Sequence, residues 1–267
     1  MSDNVTTNET PAQRVRQLLS RDEVLVAPCV YDAIGAKLVE ELGFDCVYVH
    51  GFGVAASMGV PDIGLTTMTE VVRQAARIAE AVSVPVMCDV DTGFGGSAHV
   101  ARTVREFEKA GIAGIKLEDQ LTPANRVGRP VVPLDEMTAK LRAAVDARSS
   151  DDFCVMARTD AAPTLGLAEA IRRCQAFEEA GADVTHALDI PTEAEMRDFV
   201  AALTKPTTGV ISLPHPPVLS VAELSSIGFK LILVSVPVLF SAVHAMHSFL
   251  CTLTAMAAES AAEGVAE

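Results

Sequence analysis

Short aliphatic runs and longer amphipathic stretches alternate along almost the whole chain. The runs fall at 24–28, 46–49, 86–89, 114–118, 153–158, 183–187, 207–211 and 231–234 and are dominated by Val, Ile, Leu, Ala and Cys. Near-continuous apolar strands of this kind belong to parallel sheets, whose two faces are both covered. Between them the apolar residues recur at helical spacing. Three of these stretches open on a capping box, Thr67 with Glu70, Thr192 with Glu195 and Ser220 with Glu223, in which hydroxyl and carboxylate satisfy amides that the first helical turn leaves unbonded. Gly43, Gly111, Gly181 and Gly228 each close a stretch just ahead of the next run, where a left-handed residue turns the chain back toward the sheet.

Eight strands in strict alternation with helices, without a linker, predict an α/β fold: one closed (β/α)₈ TIM barrel over residues 21–258. An open doubly wound sheet is the competing architecture. Residues 1–20 and 259–267 are expected to be flexible. In a closed barrel the chemistry sits at the carboxyl ends of the strands and in the loops after them.

Composition narrows the partners. With 49% hydrophobic residues, 4% aromatic and no Trp, the interior has to be aliphatic. A formal net charge of −14 opposes nucleic acid or an anionic membrane as partner. A small anion remains compatible where a metal or an Arg reverses the local sign. The most apolar run, 231–243, is broken by Ser235 and Pro237 and is shorter than the ~20 residues of a membrane span; it is expected to be a strand feeding a helix. Six unpaired Cys and an N terminus without signal-peptide character point to the cytoplasm.

The third strand ends in Asp89-Val90-Asp91 and the fourth in Glu118-Asp119. Alternation along a strand puts Asp89 and Asp91 on one side. Three carboxylates converging from adjacent strands call for a cation, and hard oxygen donors suit Mg²⁺ or Mn²⁺. The alternative is that these acids cap helices or pair with Lys and Arg. Arg158, ending the fifth strand, either grips a substrate carboxylate with two hydrogen bonds or serves a structural ion pair with Asp160 or Glu118. His50, at a strand end, is placed to touch substrate. Lys116 shares the parity of Glu118 and faces the interior, as a Schiff-base amine or as an ammonium paired with Glu118.

Together the phrases Tyr31-Asp32-Ala33, Ser57-Met58-Gly59-Val60-Pro61-Asp62-Ile63-Gly64, Asp89-Val90-Asp91-Thr92-Gly93-Phe94-Gly95, Leu117-Glu118-Asp119-Gln120 and Ala157-Arg158-Thr159-Asp160 resemble the isocitrate lyase and phosphoenolpyruvate mutase superfamily from about residue 21 to 246. The resemblance implies a Mg²⁺ held through Asp89, with Asp91 and Glu118 acting directly or through water. It implies substrate contacts from Tyr31, Gly51, Phe52, Gly53, Asp89, Arg126 and Arg158, and a catalytic set of Arg158, Asp62, Lys116 and His50. It further implies a metal-stabilised enolate and a homo-oligomer, dimer or tetramer, that exchanges its C-terminal helix.

The departures from the family pattern are as informative. The Cys-bearing loop of the lyases is replaced by Pro123-Ala124-Asn125-Arg126-Val127-Gly128-Arg129-Pro130, and Leu188 stands where a Glu is usual. A family Asn is lost in Gly209-Val210-Ile211-Ser212, His50 replaces a Ser, and Lys116 replaces a His. The expected activity is a Mg²⁺-dependent carbon–carbon lyase or decarboxylase acting on a small 2-oxo or 2-hydroxy dicarboxylate. Phosphonopyruvate-type chemistry, a metal-free aldolase built on Lys116 and a non-catalytic metabolite-binding barrel are the alternatives.

Overall fold

The computed structural model describes residues 9–122, 128–212 and 218–263, with side chains as far as residue 257. The first half of the chain holds α1 (Pro11–Ser20), β1 (Leu25–Val30), α2 (Ala33–Glu41), β2 (Val47–Val49), α3 (Gly51–Ser57), α4 (Met68–Ala81), β3 (Val86–Asp89), α5 (Ser97–Lys109) and β4 (Gly114–Glu118). The second half holds α6 (Leu134–Ala147), β5 (Cys154–Thr159), α7 (Ala162–Leu165), α8 (Leu167–Glu179), β6 (Val184–Ala187), α9 (Glu193–Ala201), β7 (Thr208–Ile211), α10 (Val221–Ile227), β8 (Leu231–Val234) and α11 (Pro237–Glu263).

The strands pair in parallel in the order β6-β5-β4-β3-β2-β1-β8-β7. The two ends of this order meet: Thr185 bridges Thr207, and its amide donates to the carbonyl of Pro206 at 3.0 Å. The sheet is therefore a closed barrel, and the open alternative is excluded.

Alternation along the strands divides the core in two. Val30, Val47, Val49, Ile115, Leu117 and Val155 face outward into the layer beneath the helices. Leu25, Ala27, Tyr48, Met87, Met156 and Leu231 face inward and form a separate cluster. Of the inward positions, those nearer the amino ends are mostly apolar, whereas Asp89, Lys116, Glu118, Arg158 and His186 lie toward the carboxyl ends. Burial of the first group holds the barrel together and leaves the second group over it as the polar mouth.

Two boundaries differ from the sequence expectation. Within the segment 1–20, expected to be flexible, Pro11–Ser20 is a helix. Thr10 and Gln13 form a capping box there, as do Thr67 with Glu70 and Ser220 with Glu223, whereas at Thr192 the Glu195 carboxylate takes the hydroxyl and not the amide. Val15, Leu18 and Leu19 join the inward cluster, so α1 closes the barrel opposite its mouth. Arg16 fastens it by donating to Asp183 Oδ1 at 2.7 Å. At the other end, α11 continues past 258 to Glu263. It leaves Phe240, Val243, Met246, Phe249, Leu250, Leu253 and Met256 exposed. Its 21-residue segment Pro237–Ala257 is long and apolar enough to cross a membrane, with 6% of the most apolar window buried. The expectation of a strand feeding a helix is met, but that helix is far longer and more apolar than the run at 231–243 indicates. Exchange of this helix between subunits is not shown by the single chain.

Candidate active site

At the barrel mouth the inward polar residues meet around a cavity of about 420 Å³, a size that suits a small metabolite. Asp62, Asp89, Asp91, Lys116, Glu118 and Arg158 form its charged wall. The wall from β6 onward is mostly apolar, with Leu188, Ile190, Met196, Val210 and Phe229 interspersed with Asp189, Thr208 and Ser212.

Strand register explains the charged pairings. Asp89 lies beside Lys116, and the Lys116 ammonium donates to Asp89 Oδ2 at 2.8 Å, 5.2 Å from the centre of the Tyr48 ring. Glu118 lies beside Arg158, whose Nη1 forms an ion pair with Glu118 Oε2 at 3.1 Å. Arg158 also grips Asp160 through Nε at 2.6 Å and Nη2 at 2.9 Å, and Arg129 reaches the same Asp160 at 3.1 Å. The structural pairing of Arg158 is thus realised with both acids at once, while the residue still faces the cavity. Lys116 pairs with Asp89 rather than Glu118. Its amine is the cation of an ion pair, the opposite of the free nucleophile that Schiff-base chemistry needs.

Asp91 follows a different rule. It lies beyond the end of β3 with a left-handed backbone, φ 47°, so strand parity does not orient it; the turn does. Burial pushes its carboxyl up to about 7, and the negative charges of Asp89 and Asp62 add to the effect. Burial likewise raises Glu118, helped by Asp160, Asp89 and Asp91 and opposed by Arg158. Burial acts the same way on Asp89, but Lys116 and Arg158 outweigh it and hold that carboxyl low. Asp91, Arg129 and Asp189, three of the four described non-glycine residues with positive φ, line this one cavity, the kind of place where backbone strain is retained for function.

The donor set fits a hard divalent cation. Burial, and after it the neighbouring carboxylates, raises the proton affinity of Asp91 and Glu118, and a dication offsets both effects. Among the described residues no three His, Cys, Asp or Glu side chains close into a ready-made cage, because Asp89 and Glu118 are each drawn to a basic partner. Mg²⁺ keeps several waters and needs only one or two carboxylates, so the arrangement suits partly water-mediated binding.

Other expected site residues fare unevenly. Asp62 and Phe52 line the cavity, while Tyr31, Gly51 and Gly53 do not. The two glycines matter for close approach. A Cβ on Gly53 would stand 2.8 Å from Tyr31 Cβ, and one on Gly51 3.0 Å from Asp91 Oδ1. Tyr31 therefore buttresses α3 from behind instead of touching the cavity. His50 lines the cavity, yet both ring nitrogens are committed: Nδ1 accepts from the Gly53 amide at 3.2 Å, which leaves the proton on Nε2, 3.0 Å from Ser235 Oγ. Burial pulls its pKa down to about 4 despite Asp89. His50 is a helix cap and not a free acid or base. Arg126 lies outside the described residues, as does most of the loop that replaces the Cys motif.

Sequence reasoning passed over Tyr48 and His186, which line the cavity floor. The Tyr48 hydroxyl and His186 Nδ1 are buried without a hydrogen-bond partner among the described residues. Parity was the available signal, since His186 lies two residues after the inward Val184. Cys29 also lines the cavity, but burial pushes its thiol well up, against the pull of Lys116. It does not supply the thiolate that the missing loop Cys would have given.

A family model described as phosphoenolpyruvate phosphomutase matches residues 15–253. The chain belongs to the phosphoenolpyruvate mutase/isocitrate lyase superfamily. The 2,3-dimethylmalate lyase of Eubacterium barkeri is 44% identical over 240 residues, which cover 88% of this chain and 83% of that relative. The solved structure of oxaloacetate acetylhydrolase with the inhibitor 3,3-difluorooxalacetate has a TM-score of 0.87 and 35% identity, covering 92% of this chain and 86% of that one. Phosphonopyruvate hydrolase in complex with oxalate and Mg²⁺ has a TM-score of 0.86 and 31% identity, covering 92% and 87%. For a member of this superfamily, then, the charged wall is the expected part of the site. Beside it lie the apolar wall at Leu188 and Val210 and the Lys116–Asp89 pair.

Proposed function

We propose that this protein is a Mg²⁺-dependent carbon–carbon lyase that cleaves a small 2-hydroxy or 2-oxo dicarboxylate carrying alkyl substituents, an alkylated malate being the type. The observation that carries the reading is the division of one cavity into an acid-and-base wall and an aliphatic wall. Leu188, Ile190, Met196 and Val210 offer nothing to pair with a third carboxylate but suit methyl groups. The 44% identity to a 2,3-dimethylmalate lyase supports the same substrate class.

Mg²⁺, when bound, supplies the positive charge against which an enolate forms. Asp89, Asp91 and Glu118 would hold it, in part through water. Arg158, immobilised by Asp160 and Glu118, presents a fixed positive charge to a substrate carboxylate, so little reorganisation accompanies charge development. The aliphatic wall excludes water from the alkylated carbon. The proposal extends to a cytoplasmic homo-oligomer in which another copy covers the apolar face of α11, since so large an exposed apolar surface marks an interaction site.

The test is turnover of a panel comprising 2,3-dimethylmalate, 2-methylisocitrate and oxaloacetate. Release of a 2-oxo acid from the alkylated malate is expected to exceed that from the tricarboxylate, to vanish on exhaustive chelation and to return with Mg²⁺. Turnover that survives chelation sinks the reading.

A further inference from the structure

Arg158 is shared between Glu118 and Asp160, whereas Lys116 is paired with Asp89. Its ammonium is 5% exposed and lies 2.8 Å from Asp89 Oδ2. The other oxygen of Asp89, Oδ1, accepts the Asp91 amide at 3.1 Å. Both oxygens of the acid through which the metal is expected to be held are therefore engaged by groups of the chain itself. A dication approaching Asp89 meets a fixed positive charge in a buried setting where Coulomb forces are weakly screened. An anion entering the same cavity meets that charge as an attraction. Lys116 also lies over the face of Tyr48, and its register with Asp89 keeps it from swinging far away.

We propose that Lys116 is a positioning residue that sets the order of assembly at this site: it weakens the affinity for Mg²⁺ alone and strengthens the affinity for a dicarboxylate anion, so that the metal is captured together with the substrate. The inference rests on the metal reading above. It concerns Lys116 and its charge, which a neutral residue at this position would not supply.

The experiment titrates Mg²⁺ and oxalate separately into the full-length protein by calorimetry, oxalate in the presence of chelator. Wild type, Lys116→Met and Lys116→Arg are compared at one pH. Loss of the charge in Lys116→Met is expected to tighten Mg²⁺ at least tenfold and to weaken oxalate at least tenfold. Lys116→Arg is expected to stay within threefold of wild type for both. A purely structural role would weaken both ligands together, and that result, or an unchanged Mg²⁺ affinity, overturns the proposal. Asp89→Asn separates the two layers of the argument. If it leaves Mg²⁺ binding intact, the metal site is misplaced; if it abolishes binding while Lys116→Met leaves the affinity unchanged, only the role of Lys116 fails. Lys116→Gln, which can still hydrogen-bond to Asp89 without a charge, carries the same test should the Met variant not fold.

Discussion

Glu118 and Asp119 are consecutive, both buried and both paired with an arginine, yet they belong to two regions with opposite logic. Glu118 turns into the cavity, where Asp160, Asp89 and Asp91 crowd it and Arg158 opposes them. Asp119 turns outward under the helices and accepts from Thr159 Oγ1 at 2.7 Å, the Asp160 amide at 2.9 Å and Arg173 Nη1 at 3.0 Å. A carboxylate saturated with donors is a structural joint; one surrounded by its own kind stores repulsion for a ligand to relieve. The pair teaches that burial and an arginine do not by themselves distinguish scaffold from site. The count of donors against acids does.

The sharpest way to break this comparison is to remove each acid in turn. Among the described residues, Asp119→Ala leaves Arg173 buried with Glu169 and the Val132 carbonyl, and its expected loss is ~3–5 kcal/mol in urea unfolding, toward the lower end because Glu169 remains. Glu118→Gln keeps Arg158 paired with Asp160 and removes a like charge. Its stability is expected within about 1 kcal/mol of wild type, while kcat falls by roughly 10²–10³. Equal stability losses for the two variants would erase the distinction.

The second test uses protons. Asp91 has its folded pKa raised to about 7, above the ordinary carboxylate value of 3.8, first by burial and then by Asp89 and Asp62. A raised acid favours the folded state at low pH and withdraws that support as pH climbs through the folded pKa. In chelator, the melting temperature is expected to carry a component that declines from about pH 4 to about pH 7 and is absent in Asp91→Asn. Saturating Mg²⁺ should reverse the trend, because only the ionised carboxylate binds metal and bound ligand adds stability by mass action. A difference curve between wild type and Asp91→Asn that is flat in chelator, or a Mg²⁺-induced shift that shrinks as pH rises, would remove Asp91 from the crowded set.

The two regions were not equally legible in the sequence. All eight strands fall within a residue or two of their apolar runs, because burial on both faces writes itself directly into composition. Asp89, Glu118, Lys116 and Arg158 were readable from strand parity. What parity could not supply was pairing. That Lys116 takes Asp89 and not Glu118 depends on the β3–β4 register, and the central place of Asp160 depends on where Arg158 bends back. Asp91 was grouped correctly for a reason that does not hold, since its direction comes from a left-handed turn. The helix α1 was missed because a short polar segment with three apolar residues looks like a frayed terminus until the open end of a barrel needs closing.

Smaller perturbations sharpen the boundary between the regions. A methyl group on Gly53 meets Tyr31 Cβ at 2.8 Å, and one on Gly51 meets Asp91 Oδ1 at 3.0 Å. The first obstacle is a side-chain root fixed to the backbone, the second the far end of a side chain. Gly53→Ala is therefore expected to lose ~1–3 kcal/mol of stability through overpacking, with activity falling only as the fold does. Gly51→Ala should unfold later than Gly53→Ala and lose activity more steeply, because Asp91 is what yields. Reversal of that order in paired urea and kinetic measurements would show that α3 is not pressed against the acids as described.

The mildest expected effect lies on the apolar wall, at the cap of α9. Thr192 Oγ1 accepts the Glu195 amide at 3.2 Å and donates to its carboxylate at 2.6 Å, tying down the first turn of the helix that carries Met196 into the cavity. Thr192→Ala loses that bond, and caps of this kind contribute ~1 kcal/mol. The bonds of this cap stay within α9's own first turn, so kcat should hold while KM for an alkylated malate rises by a few-fold as Met196 loosens. KM for an unalkylated analogue should not move, because such a substrate makes no use of the aliphatic side. If both KM values rise together, the two walls are mechanically one unit, and the division of the cavity into a charged half for chemistry and an apolar half for selection does not hold.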